Sequence, residues 1–207
     1  MKRIAPLLAT LLFLPLHLSS QSTASASAQP ALRVAYGQKL RIAGVPNAGK
    51  ITDVFYRGGQ PGENGLVSLK AMGITTIVDL RGEDREKLEW ERKLSESLGL
   101  RFVHIPVSGW SPPTDDQLVQ FLSLLRGDPQ QKIFVHCRFG DDRTSVFIAA
   151  YRVALEKWPA EQALKEMYFF GFNGFWHPAM KTFVREFPAR MNSAPTLAPL
   201  HTLILQP

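Results

Sequence analysis

The feature that most constrains this chain is the alternation of short β-branched runs with helical patterns. ITTIVDL (74–80), RFVHIPV (101–107) and KIFVHC (132–137) read as buried strands. TDVFYRGGQPG (52–62) reads as a shorter strand ending in a Gly/Pro turn. Between them lie helical patterns over 63–72 and 84–98, the latter closed by Gly99. Another starts at Thr114 or Asp115 and runs to Arg126, with Leu118, Phe121, Leu122 and Leu125 on its inner face. TSVFIAAYRVALEK (144–157) predicts a strongly apolar helix, followed by helices over 160–170 and 177–187. Strands alternating with helices predict an α/β domain with a central, mostly parallel sheet flanked by helices. Ligands in such folds bind beyond the carboxyl ends of the strands.

The termini read differently. MKR, the apolar run 4–18 broken by Pro6 and Pro15, and a small-residue stretch ending Ala26-Ser27-Ala28 form the three parts of a secretory signal peptide. Cleavage is expected after Ala28. A membrane span needs roughly 20 apolar residues, more than this run supplies. The expected layout is a signal peptide (1–28), a loosely structured lead-in (29–50), the main domain (51–190) and an irregular tail (191–207). It places the mature chain in the periplasm or outside the cell, with no stable membrane insertion.

Charge narrows the partner. The formal net charge of +6 falls to +4 once Lys2 and Arg3 are removed. A basic balance favours anionic partners. No cluster of Lys and Arg interleaved with aromatics is present, which argues against nucleic acid.

Cys137 is the single cysteine of the 207 residues, so no internal disulfide is possible. It ends a predicted strand, and Arg143 opens the next helix. A cysteine attacks only as thiolate, and a helix N-terminus or a guanidinium lowers its free pKa of roughly 8.5. The intervening loop can turn its backbone amides inward into an anion nest. Gly140 permits the tight curve, and Arg143 can grip two oxygens of an oxyanion with its planar fork. Such a loop supplies the positioning and charge stabilisation that phosphoryl transfer needs. Sulfur would attack phosphorus, and water would hydrolyse the phosphocysteine. His136 should face away from the thiol and hold the loop's shape. Thr144 can donate to the thiolate or simply satisfy the helix start. Arg138 can line the rim or stay solvated. Arg57 and Arg81 read as braces. Trp110 reads as a cover or a packed aromatic, and FFGFNGFWHP (169–178) as helix packing or a lid.

HCRFGDDRT (136–144) matches HC-x5-R-[S/T], and the chain resembles the cysteine-dependent protein tyrosine and atypical dual-specificity phosphatases. YRGGQP (56–61), IVDLRGE (77–83) and the order HIPV, Pro-containing loop, helix, FVHC extend the likeness over roughly 50–155. The resemblance implies a dual-specificity-phosphatase-like α/β fold, no metal, no cofactor, and hydrolysis of phosphorylated proteins, small phosphoesters or inositol phosphates. By position it makes Cys137 the nucleophile, Arg143 the phosphate clamp, and the backbone of Arg138, Phe139, Gly140, Asp141, Asp142 and Arg143 the substrate cradle.

One departure stands out. The family's general acid should lie on the loop upstream of the helix that precedes the Cys strand, yet residues 101–114 hold no carboxylate. Asp115 and Asp116 are the nearest acids, read either as first-turn acids favoured by the helix dipole or as the donor, with Asp115 the better placed. Asp141 and Asp142 would repel phosphate if they faced it. They are expected to point outward as braces, with the alternative that one of them is the missing acid. The competing readings are a rhodanese-like sulfurtransferase and a non-catalytic phosphate-binding pseudophosphatase.

Overall fold

The computed structural model describes residues 35–128 and 130–200. The expected signal peptide (1–28), the start of the lead-in and the last residues of the tail lie outside the described residues. From Ala35 onward the described residues form one compact unit.

Six strands make one sheet: β1 (Gln38–Lys39), β2 (Gly49–Lys50), β3 (Phe55–Gly59), β4 (Thr76–Arg81), β5 (Arg101–Val107) and β6 (Ile133–Cys137). Their order is β1-β2-β3-β6-β4-β5. The last four pair in parallel, with β6 at the centre between β3 and β4. The first two pair antiparallel at the edge. β6 is buried along its whole length, as its unbroken apolar run predicts for a strand covered on both faces.

The helices are α1 (Glu63–Ala71), α2 (Arg85–Ser97), α3 (Asp115–Gly127), α4 (Asp142–Ala154), α5 (Ala160–Phe169) and α6 (Pro178–Ser193). They cover the sheet as two separate apolar cores. One holds Val78, Val135 and Cys137 with residues of α3 to α6. The other holds Ile77 and Phe134 with residues of α1 and α2. This is the period-2 alternation of strands at work. It puts Cys137 and His136 on opposite faces of the sheet. α4 sits under α5 and α6 and is buried almost all round, as its apolar sequence predicts.

Two expectations are revised. Residues 38–50, read as a lead-in without elements, carry β1 and β2, with Gly49 opposite Arg57 and Lys50 opposite Tyr56. Strands of two residues show no alternation, so only the neighbouring β3 reveals them. The tail, read as irregular from Met191, is partly ordered. α6 continues through Pro188 to Ser193, a 3-10 turn follows at Pro195–Leu197, and Leu197 and Leu200 are buried. The apolar stripe Phe183, Val184, Phe187 and Met191 carries the helix past the amide that Pro188 lacks.

Candidate active site

Parallel pairing brings the carboxyl ends of β3, β4 and β6 together, with Gly59 in register with Cys137 and Asp79 with His136. Cys137 is a free thiol, 2% exposed. The loop after it is held on its sheet side. The Gln60 amide donates to the Arg138 carbonyl at 3.2 Å. Gly140 O accepts from Asn47 Nδ2 at 2.9 Å and from the Arg57 guanidinium. Gly140 has φ +75°, and a Cβ there would meet the Gly58 and Gly59 backbone at 2.3–2.5 Å. No other residue fits this curve without moving β3. With these carbonyls turned to the sheet, the loop can offer its amides to the concave side.

Arg57 is fully buried, stacks on Phe170 at 4.0 Å and donates to Ser145 Oγ at 3.1 Å. Burial lowers its pKa from 12.5 to about 10, opposed by the charges of Cys137, Glu166 and Asp141. It is a brace, as expected, and what it braces is the cradle itself.

Arg143, at the start of α4, is also buried. It forms a two-pronged bond with Glu83, at 2.7 Å from Nη1 and 2.8 Å from Nη2, and Nη1 donates to Val107 O at 3.3 Å. That bond, against a smaller opposing effect of burial, pulls the Glu83 carboxyl down to about 2. The open side of the loop forms a pocket of about 460 Å³ lined by Glu83, Gly109, Trp110, Cys137, Arg138, Phe139, Asp141, Asp142, Arg143 and His177. Trp110 and Phe139 are 70% and 61% exposed at its rim, and the Trp110 ring lies tilted against His177, with centroids 5.2 Å apart.

A charge network lies beneath the loop, on the other face of the sheet. Arg81 binds Asp79 at 2.6 Å and Glu91 at 2.8 Å, and His136 Nε2 lies 2.8 Å from Glu91 Oε1. All four side chains are buried. Burial alone would lower the His136 pKa, but Glu91 and Asp79 lift it to about 9. Among the described residues, Asp79, Glu91 and His136 are the cluster with metal-ligand spacing. Arg81 already supplies the cation between the two carboxylates.

The structure thus brings Cys137, Arg138, Phe139, Asp141, Asp142 and Arg143 into one pocket shaped by Gly140. Thr144 is fully buried, and its hydroxyl has no hydrogen-bond partner among the described residues. Asp115 is the correction. Its carboxylate accepts from Arg190 at 2.6 Å and Thr196 at 2.9 Å, tying α3 to the end of α6, and it does not line the pocket. Asp116 is exposed on the same turn. The helix is capped by Thr114 in a capping box with Gln117. Asp142 does brace a neighbouring loop, through the Asn173 amide at 3.0 Å and His177 at 3.1 Å, yet it lines the pocket too. Asp141 accepts from the Asp142 amide at 2.8 Å. Glu83, Asn47 and His177 were missed as site residues. Glu83 was in view within IVDLRGE. His177 lay hidden in an aromatic stretch, with no signal of its own.

A family model described as "DSP-PTPase phosphatase fused to NAD+ Kinase" matches residues 46–186. The chain is 32% identical over 101 residues to "Probable NAD kinase 2, chloroplastic" of Oryza sativa subsp. japonica, covering 47% of this chain and 10% of that protein. It is 27% identical over 130 residues to "Dual specificity protein phosphatase TpbA" of Pseudomonas aeruginosa, covering 61% of this chain and 55% of TpbA. A crystal structure of TpbA superposes with TM-score 0.63 at 21% identity over 84% of this chain and 98% of that one. The core catalytic domain of the PP-IP phosphatase SIW14 from S. cerevisiae superposes with TM-score 0.64 at 16% identity, over 80% and 98%. This chain therefore spans about half of TpbA and a tenth of the kinase relative.

Proposed function

The chain belongs to the dual-specificity, cysteine-dependent phosphatase family matched over residues 46–186, and from that premise we propose that it hydrolyses phosphomonoesters through a phosphocysteine intermediate. One observation carries the reading: Cys137 at the end of β6 and Arg143 at the start of α4 line the same pocket, with the braced loop 138–142 between them.

In this reading Cys137 Sγ attacks phosphorus, and the loop amides and the Arg143 guanidinium hold the non-bridging oxygens. Glu83 holds the planar Arg143 fork in one orientation before substrate arrives. Arg57 is a buried cation with no carboxylate partner among the described residues, and it adds positive charge behind the loop. We assign to the Thr144 hydroxyl, buried and without a hydrogen-bond partner among the described residues, the role of donor to the sulfur as it leaves. No residue of the site requires a metal for these steps.

The lining favours a singly phosphorylated group over a polyphosphate. Glu83, Asp141 and Asp142 offset Arg138 and Arg143, and the rim is aromatic. An inositol polyphosphate needs several free cations, whereas a phosphorylated side chain or small aryl phosphoester needs one cradle and an apolar wall. We place the mature protein in the periplasm or outside the cell, on the signal-peptide pattern of residues 1–28. Among the described residues no helix is long and apolar enough to cross a membrane. Finding full-length, uncleaved protein in the cytoplasmic fraction would refute that placement.

The purified protein should hydrolyse p-nitrophenyl phosphate with EDTA present. Cys137→Ser should abolish turnover and keep vanadate binding. A wild type that binds vanadate without turnover would make the chain a pseudophosphatase, a reading favoured only by the carboxylate-free stretch 101–114. Transfer of sulfur from thiosulfate to cyanide would make it a sulfurtransferase.

A further inference from the structure

We propose that Asp142 donates the proton to the leaving oxygen, with His177 as the positioning residue that holds its carboxyl in place; this rests on the phosphocysteine reading above. The expected acid is missing from 101–114, and Asp115 is committed to Arg190 and Thr196. Three carboxylates line the pocket, and two are committed to other contacts. Glu83 is locked in the Arg143 fork and held down to about 2, so it stays ionised at any working pH. Asp141 precedes α4 as its N-cap, and its carboxylate is engaged by the Asp142 amide.

Asp142, the first residue of the same helix, differs from Glu83 in lacking a guanidinium bond and from Asp141 in being held by groups outside its own segment. Its side chain is only 18% exposed and has no guanidinium bond. Oδ1 is fixed by the Asn173 amide at 3.0 Å, and Oδ2 lies 3.1 Å from His177 Nε2. The titratable groups that line the pocket with it are Arg138, Asp141 and Arg143 on its own segment, His177 before α6, and Glu83 and Cys137 on the other pocket walls. Burial raises its pKa, the Asn173 amide opposes this, Asp141 adds to it, and His177 and Arg143 oppose it; the net direction is upward. A carboxyl that keeps its proton to higher pH than an ordinary aspartate is what general-acid work requires.

His177 is itself confined. Its side chain is 10% exposed, and its ring lies between Trp110 at 5.2 Å and Phe172 at 6.5 Å. Nδ1 is buried without a partner among the described residues, so the polar contact that orients the ring is the one to Asp142. The exposed Trp110 ring lies against His177 where both line the pocket.

The step balances. As the bond from Cys137 Sγ to phosphorus forms, the bond from phosphorus to the leaving oxygen breaks. Its electron pair stays on that oxygen, which takes the Asp142 proton. In the second half the Asp142 carboxylate takes a proton from water while the water oxygen attacks phosphorus. The sulfur–phosphorus bond breaks, and Cys137 returns as thiolate with free phosphate as product.

The test compares p-nitrophenyl phosphate, whose leaving group needs little protonation, with phenyl phosphate, which needs much. Asp142→Asn should lower kcat/KM on phenyl phosphate by roughly 10²–10⁴-fold. It should change p-nitrophenyl phosphate by less than about tenfold, flatten the basic limb of the pH profile and leave vanadate binding intact, with Asp142→Glu restoring part of the loss. His177→Gln should move the basic limb to higher pH, because the electrostatic effect of His177, which opposes the rise of the Asp142 pKa, is then gone. An equal loss on both substrates, or a leaving-group-dependent loss in Asp141→Asn or Asp115→Asn instead, overturns the assignment. Should Asp142→Asn fail to fold, an unmoved basic limb in His177→Gln overturns it by itself. A wild type inactive on both substrates refutes the phosphocysteine reading as well, which separates the two failures.

Discussion

Glu91→Gln tests the charge network beneath the cradle. Glu91 is fully buried and faces two cations: Arg81 at 2.8 Å and His136 at 2.8 Å. Glutamine keeps the shape and removes the charge, leaving His136 with Asp79 at 4.0 Å as its remaining anion. Breaking a buried pair by removing one partner costs about 3–5 kcal/mol. An independent route gives the same order. His136 is held at about 9 against its ordinary 6.5, and at about 1.4 kcal/mol per pH unit this is ~3 kcal/mol of stability. The sign follows from a folded pKa raised above the unfolded one. The contribution is complete below pH 6.5 and disappears as pH rises through about 9. Thermal unfolding at pH 6 should therefore show Glu91→Gln melting about 6–20 °C below wild type. Above pH 9 the gap should narrow, because wild type has then lost the His136 proton too. A deficit under about 1 kcal/mol at pH 6, or a gap that does not change with pH, would refute the view of His136 as a protonated strut.

Two further substitutions probe the cradle from the sheet side. Gly140→Ala meets both a φ of +75° and the backbone of Gly58 and Gly59. It should lose more than the ~1–2 kcal/mol of a left-handed residue, together with at least ~10²-fold in kcat/KM from the displaced loop; denaturant unfolding and steady-state kinetics check both. Arg57→Met removes the guanidinium that holds Gly140 O and Ser145. Because Arg57 is buried with no carboxylate partner among the described residues, relief of desolvation should offset the lost bonds and leave stability within about 1 kcal/mol. Vanadate affinity should fall about tenfold or more, ~1.4 kcal/mol, and unchanged affinity would show that Arg57 does not support the cradle.

The parallel core was legible because β4, β5 and β6 are long β-branched runs that repeat against helical patterns. The short edge strands were not, since Gln38–Lys39 and Gly49–Lys50 carry too few residues to alternate and pair only because β3 offers its edge. Pro188 stops a helix on propensity alone, but the stripe from Phe183 to Met191 has a core to bury and carries α6 through it.

Within the site, the sequence by itself determined the contiguous part. Spacing along one loop is enough to place Cys137, Gly140, Arg143 and Thr144 at a strand-to-helix junction, because a chain of so few residues has little freedom in how it joins the two. The alternation of β6 likewise sent His136 to the face opposite Cys137. Tertiary structure decided everything that depends on residues distant in sequence meeting. Glu83 comes to Arg143 from the end of β4, Arg57 comes to Gly140 from β3 and Asn47 from the connection between β1 and β2, and His177 comes to Asp142 from the start of α6. The same packing drew Asp115 away toward Arg190 and Thr196. A carboxylate's role is set by which cation or amide folding puts beside it, and no local pattern records that choice.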